Sequence, residues 1–255
     1  MKKIAVLVIF AVVLTLSSCD DFFSKSWGTQ RTYNTSKINV NAGNVDDWIK
    51  ASAGNPALAK AVAEAILKKL PAVNDAEKKI LLGAGLRLAV ESSGVGELLL
   101  SEFAKQLKNT DIDNFDETTI ENILDKIVDD FNKGGGADAA ELIGQIAGEF
   151  IDDKDGTPKF DEEYIDSLKS GDVAEAILVL ILNELGNSGA SIENWDDIEN
   201  LTLGLVSDGY HIQVGDPENT TPGSIALAAY INLIIDHPEK FQDNPFTDIF
   251  KDAFV

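Results

Sequence analysis

Ile120, Ile123, Leu124, Ile127, Val128 and Phe131 recur at steps of three and four, the spacing that aligns one face of an α-helix. Leu142, Ile143, Ile146, Ala147 and Phe150 repeat the stripe in the next segment, where Gly144 and Gly148 leave room for a neighbouring helix to come close. Leu58, Val62, Ala65, Ile66 and Leu70 form an earlier stripe, and Leu99, Leu100, Phe103 and Leu107 another. A chain patterned in this way buries helix faces against one another. Only Tyr210-His211-Ile212-Gln213-Val214 alternates with the period of a strand.

Start and stop signals punctuate the stripes. Asn55-Pro56 supplies an N-cap and a proline for the first helical position, and Pro71 ends that helix after Leu70. Further helices are predicted over 75–91, 95–108 and 173–185, from Asn194 to about Ser207, from Thr221-Pro222 to Asp236, and briefly after Asn244-Pro245. Asp172 and Glu175 read as a capping box for the 173–185 helix. Ala176 to Leu182 is apolar all round, too short for a membrane span, and therefore predicted to be the central buried helix. The expected fold is all-α, a multi-helix bundle of about ten helices. A degenerate duplicated array is the alternative, because Val62-Ala63-Glu64-Ala65-Ile66-Leu67 recurs letter for letter as Val173-Ala174-Glu175-Ala176-Ile177-Leu178.

The first residues have a different logic. Lys2 and Lys3 precede the apolar run Ile4 to Leu16, the layout of a secretory signal. Leu16-Ser17-Ser18-Cys19 closes that run and resembles the lipobox of bacterial lipoproteins. The resemblance implies removal of residues 1–18, lipidation of Cys19 and a body held outside the cytoplasm at a membrane of the bacterial cell envelope. Several acyl chains at about 0.8 kcal/mol per buried CH₂ make such an anchor nearly permanent. Cys19 is the only cysteine, so no intramolecular disulfide and no Cys-based zinc cage is available. In some bacteria an Asp at the position of Asp20 resembles an inner-membrane retention signal, and the leaflet stays open.

Residues 19–36 are expected to form the lipidated Cys and a flexible tether with a reach of about 20–25 Å, leaving 37–255 as an acidic helical domain. Phe22, Phe23 and Trp27 suit the bilayer interface, although Trp27 docking on the body is equally compatible with the sequence. The chain carries 43 Asp plus Glu against 21 Lys plus Arg, a formal charge of −22. That balance argues against nucleic acid as a partner, since phosphate binding needs clustered Lys and Arg. It also makes anionic headgroups repel the body, so the lipid is the expected membrane contact and an envelope protein the expected partner.

Two acidic stretches approach the pattern of a Ca²⁺-binding EF-hand loop, which places oxygen ligands at positions 1, 3, 5, 7, 9 and 12. Asp130, Asn132, Asp138 and Glu141 occupy positions 1, 3, 9 and 12 of the first, with glycines at 5 to 7. Asp153, Asp155 and Glu162 occupy 3, 5 and 12 of the second, which begins on Ile151 and has Pro158 at position 8. Solvated helix caps account for the same residues. His211 and His237 are too isolated to suggest a metal pair, and His237 falls at a helix end, where a cation suits the dipole.

Trp48 and Trp195, each beside an Asp-Asp pair, are expected to anchor helix starts. No GxSxG, HExxH or GxxxxGK[ST] motif occurs, and Gly83-Ala84-Gly85 lacks the rest of a dinucleotide fingerprint. The sequence is therefore read as a non-enzymatic interaction or binding module without a resident cofactor. A Ca²⁺-binding module and a helical ligand-binding component beside a transporter are the alternatives.

Overall fold

A computed structural model describes residues 33–96, 98, 126–152, 157–188, 205–208, 211–214 and 221–241. These are mostly helical, in keeping with an all-α expectation. The lipobox 16–19, Trp27, Trp195, the stripe over 99–107 and the helix expected after Asn244 lie outside the described residues.

The second and third helices each begin where an asparagine side chain satisfies a free N–H group. Helix α1 spans Val45–Ser52 and α2 spans Pro56–Lys69. The Asn55 side chain accepts from the Leu58 N–H at 3.2 Å, with Pro56 at the first helical position. Pro71 ends α2 through one 3-10 turn, Leu70–Ala72. Helix α3, Asp75–Ser92, starts on Asn74, whose side chain accepts from the Glu77 N–H at 3.0 Å.

Residues 126–133 form helix α4, and α5 spans Gly136–Gly148. Only the turn Gly134–Gly135 separates them, and Gly135 has φ 96°, a left-handed conformation open to glycine. Ile127 and Phe131 are fully buried, as the stripe requires. Antiparallel strands β1 (Ile151–Asp152) and β2 (Lys159–Phe160) follow, then the short α6 (Glu162–Ile165) and the long α7 (Ser170–Ser188). Strands β3 (Leu205–Asp208) and β4 (His211–Val214) form a second antiparallel pair with His211 opposite Asp208. Helix α8 is Pro222–Asp236, capped reciprocally by Thr221 and Ser224.

The strands correct the purely helical reading in two places. Ser207, expected at the end of a helix, lies in β3, the partner of the alternating segment. The β1–β2 pair had no sequence signal because two residues are too few to show alternation. This pair is fastened to α8 by Asn232, buried at 1% exposure, whose Nδ2 donates to the Pro158 carbonyl at 3.0 Å.

The centre of the core also differs from expectation. Every residue of α8 from Ala226 to Ile234 is buried, whereas α7 leaves Leu178 and Ile181 partly exposed. Among the described elements α8 is therefore the innermost, packed against α5, α7, β2 and β4. On the other side α3 is flanked by α1, α2, α5 and α7. Trp48 packs against this core from α1, as the helix-anchoring reading requires. So does Tyr33, whose hydroxyl accepts from Asn55 Nδ2 at 3.0 Å. The last residues of the expected tether thus lie on the body.

The two glycines of α5 have separate roles. A Cβ on Gly144 would stand 2.6 Å from the Pro222 carbonyl carbon and 2.7 Å from the Gly223 nitrogen, both backbone atoms that cannot rotate away. Gly148 has nothing within 4 Å of that position. Gly144→Val is therefore expected to force α5 and α8 apart and lower stability by about 2–3 kcal/mol. Gly148→Ala should raise it by roughly 0.5–1 kcal/mol through helix propensity. Equal urea midpoints for the two variants would refute this division.

Candidate functional site

The glycine turn that joins α4 to α5 decides where the first acidic stretch goes. Asp130 and Asn132 lie in the last turns of α4, and Asp138 and Glu141 on α5, so the twelve residues are two helices and a two-residue turn. Their side chains have other partners. Asp130 pairs with Lys126 at 3.6 Å, Asp138 with Lys60 of α2, and Glu141 accepts from Gln145 at 2.9 Å. Asn132 lies against Gly186 of α7, where any Cβ would collide with its amide.

In the second stretch Asp153 and Asp155 fall outside the described residues, and Glu162 is an exposed residue at the start of α6. Among the described residues no group of three or more His, Cys, Asp or Glu side chains is arranged to hold a metal ion. His237 caps α8, with its ring nitrogens 3.7 Å from Glu162 Oε1 and 3.6 Å from Glu239 Oε1. His211 lies in β4, in register with Asp208 of β3.

A different acidic group is drawn together by the fold. Helices α3 and α7 pack side by side. Helix α7 begins at Ser170, so Asp172 and Glu175 lie within it rather than capping it. Both are half-buried, with charges felt by one another and by Arg87 of α3, while Glu91 of α3 acts on Glu175. Glu91 Oε1 also accepts from the Gly54 N–H at 2.9 Å, tying the α1–α2 turn to α3. Pro56, Gly94 and Val95 complete a cavity of about 10 Å³ between Glu91 and Glu175, room for roughly one water molecule.

Burial sets the protonation of this group. It pushes Asp172 up, against the pull of Arg87 and Lys169. Glu175 rises to about 7, through burial first, then the charges of Asp172 and Glu91, with Arg87 opposing. Tyr230 of α8 is pushed above its ordinary range by burial and by Asp172, and its hydroxyl has no hydrogen-bond partner among the described residues. At neutral pH Glu175 is therefore poised to bind or release a proton beside a second carboxyl group. The water-sized cavity beside it has no space for an organic substrate.

Sequence reasoning passed over this site. Asp172 and Glu175 fit a cap, and Glu91 was one acid among 43. The available signal was Glu175 itself, an acidic residue one position before the all-apolar run Ala176 to Leu182. A second cavity of about 20 Å³, between Lys159, Ile165, Leu233 and His237, is also too small for more than a water molecule or so.

Compared with known proteins, the chain matches no protein-family model, no curated protein and no solved structure.

Glu175 binds its proton more tightly in the folded chain than in the unfolded one, where its carboxyl has the ordinary value of 4.5. Its contribution to stability is therefore complete below 4.5 and is lost as the pH rises to about 7. The loss amounts to about 3–4 kcal/mol at roughly 1.4 kcal/mol per pH unit. Urea unfolding of the wild type should show this decline between pH 5 and 7, and Glu175→Gln should flatten it. An unchanged slope in the variant would remove Glu175 as its source.

Proposed function

We propose that the protein is a lipid-anchored lipoprotein of the bacterial cell envelope whose acidic helical body is a non-enzymatic binding module for a basic surface of another envelope protein. The observation that carries this reading is Leu16-Ser17-Ser18-Cys19 after the apolar run 4–16, with the chain's only cysteine at the lipidation position. Cleavage before Cys19 leaves 237 residues with 43 acidic and 19 basic side chains, a formal charge of −24. Anionic membrane surfaces repel such a body, and the lipid alone holds it there. No described helix is long and apolar enough to cross a membrane.

The surface supports a polar mode of binding. Ile80 is the one large apolar residue exposed among those described, so an apolar docking face is missing there. Asp161, Glu162, Glu163 and Asp166 are exposed together around α6; Glu163 lies 3.6 Å from Lys79 and Asp166 3.7 Å from Lys240, exposed pairs that a partner's cations can exchange with.

The reading includes a full body of about ten helices, with a degenerate duplicated array built on the two Val-Ala-Glu-Ala-Ile-Leu segments as the alternative. The two segments share one burial pattern, as an amphipathic helix of that sequence requires. In both, the Val, both Ala and the Ile are buried, whereas the Glu and Leu are half-buried. Both segments lie on helices that flank α3.

Cys19→Ala should move the protein from the membrane fraction to the soluble fraction and abolish incorporation of labelled fatty acid. Full membrane retention of the variant would overturn the anchoring. Cross-linking in intact envelopes should capture a basic partner at low salt. Capture should fall steeply near 1 M salt, where the screening length is about 3 Å, and after Asp161→Lys with Glu162→Lys. Capture insensitive to both changes would rule out the acidic face.

A further inference from the structure

Helix α3 separates two sides of the body that differ in charge. Glu77 and Lys79 lie two residues apart, about 200° around the helix, and so point to opposite sides of it. Glu77 Oε1 accepts from the Ala42 N–H at 3.4 Å and lies 3.6 Å from Lys69 of α2. Lys79 lies 3.6 Å from Glu163 of α6 and 5.8 Å over the Tyr164 ring. The next turns repeat the division. A Cβ on Gly85 would meet Ile66 of α2 at 3.2 Å, and one on Gly83 the carbonyl oxygen of Ser167, just past α6, at 2.5 Å. The acidic face around α6 is therefore across α3 from α2.

Tyr33, the first described residue, is on the α2 side, held by Asn55. The 3-10 turn Thr35–Lys37 packs on α2, where Lys68 Nζ donates to Thr35 Oγ1 at 3.2 Å and Lys69 Nζ to the Val40 carbonyl at 2.7 Å. Residues 33–72 carry five lysines against Asp46, Asp47 and Glu64, whereas 73–255 carries 12 Lys plus Arg against 38 Asp plus Glu. Lys60 and Lys69 of the five are paired with Asp138 and Glu77. Lys37, Lys50 and Lys68 are exposed and form no ion pair among the described residues.

We propose that the side built from residues 33–44, α1 and α2 is the face the body turns to the anionic headgroups of its own membrane, with the acidic face around α6 turned away from them. This rests on the lipid anchor at Cys19 proposed above. The lipid supplies the attachment, and the uneven charge supplies the orientation. Tyr33 lies fourteen residues after Cys19, and the root-mean-square reach of a random chain of that length is about 20 Å. A compact body of this size has a radius of gyration of about 17 Å, so the side that holds Tyr33 stays near the bilayer. An anionic surface attracts lysines and repels carboxylates within a screening length of about 8 Å. Turning α6 inward would bring Asp161, Glu162, Glu163 and Asp166 to that surface. Turning α1 and α2 inward brings Lys37, Lys50 and Lys68, opposed by Asp46 and Asp47. The second arrangement also leaves the α6 face free for a basic partner.

Acylation of lysines by a water-soluble ester tests the orientation, read by mass spectrometry on the native lipidated chain pelleted with vesicles. On vesicles containing phosphatidylglycerol, Lys37, Lys50 and Lys68 should react severalfold more slowly than on phosphatidylcholine alone. Lys169, exposed between α6 and α7, should react equally on both. Salt at about 1 M should cancel the slowing without releasing the protein from the vesicles. Lys50→Glu with Lys68→Glu should do the same at Lys37. Equal reaction of the three lysines on both lipids, or slowing as large at Lys169, would overturn the orientation and leave the anchor standing. Protein that fails to pellet with either kind of vesicle would overturn the anchor, and the orientation with it.

Discussion

A helix with no polar face has to be enclosed, and the enclosure of α8 organises the body. Its nine consecutive buried residues leave no side for solvent, so α5, α7 and both strand pairs provide its walls. The approach is closest at Gly144, where the start of α8 touches the backbone of α5. Polar groups drawn into the enclosure need partners there. Asn232 obtains one from the Pro158 carbonyl, which holds the β1–β2 pair in place.

The enclosure has an electrostatic consequence. A strongly acidic chain has few cations to distribute, and burying any carboxylate beside other acids raises its proton affinity. Glu175 and Asp172 lie where α7 meets α3, with the Arg87 charge opposing the effect of burial and the Glu91 charge adding to it. The acids elsewhere on the described surface stay in water or pair with lysines, as Asp138 does with Lys60 and Glu163 with Lys79. Exposed pairs of that kind add little stability. Charge and packing are coupled at this seam and again at Glu184 of α7, a buried carboxyl that burial also pushes up.

The helix starts at Asn55-Pro56, Asn74 and Thr221-Pro222 were legible because a cap is a local interaction, decided by residues three apart. The stripe through Ile127 and Phe131 was legible for the same reason, since period alone selects the buried face. For the first acidic stretch, ligand spacing along the chain says nothing about whether a helix already occupies it. Asp130 and Asp138 fit a loop pattern and sit on separate helices. Gly144 and Gly148 looked equivalent, yet only one meets a neighbour.

What the sequence determined by itself is the helical class, the capped helix starts, the acidic surface and the expectation of a lipid anchor at Cys19. These follow from neighbours along the chain and from composition. Only the tertiary structure decided that α8 rather than α7 is innermost, that Asn132 fills the space over Gly186, and that Glu91 and Glu175 share a cavity. The reason is physical. Glu91 and Glu175 lie 84 residues apart in the chain, and no local propensity reports which two helix faces will pack together.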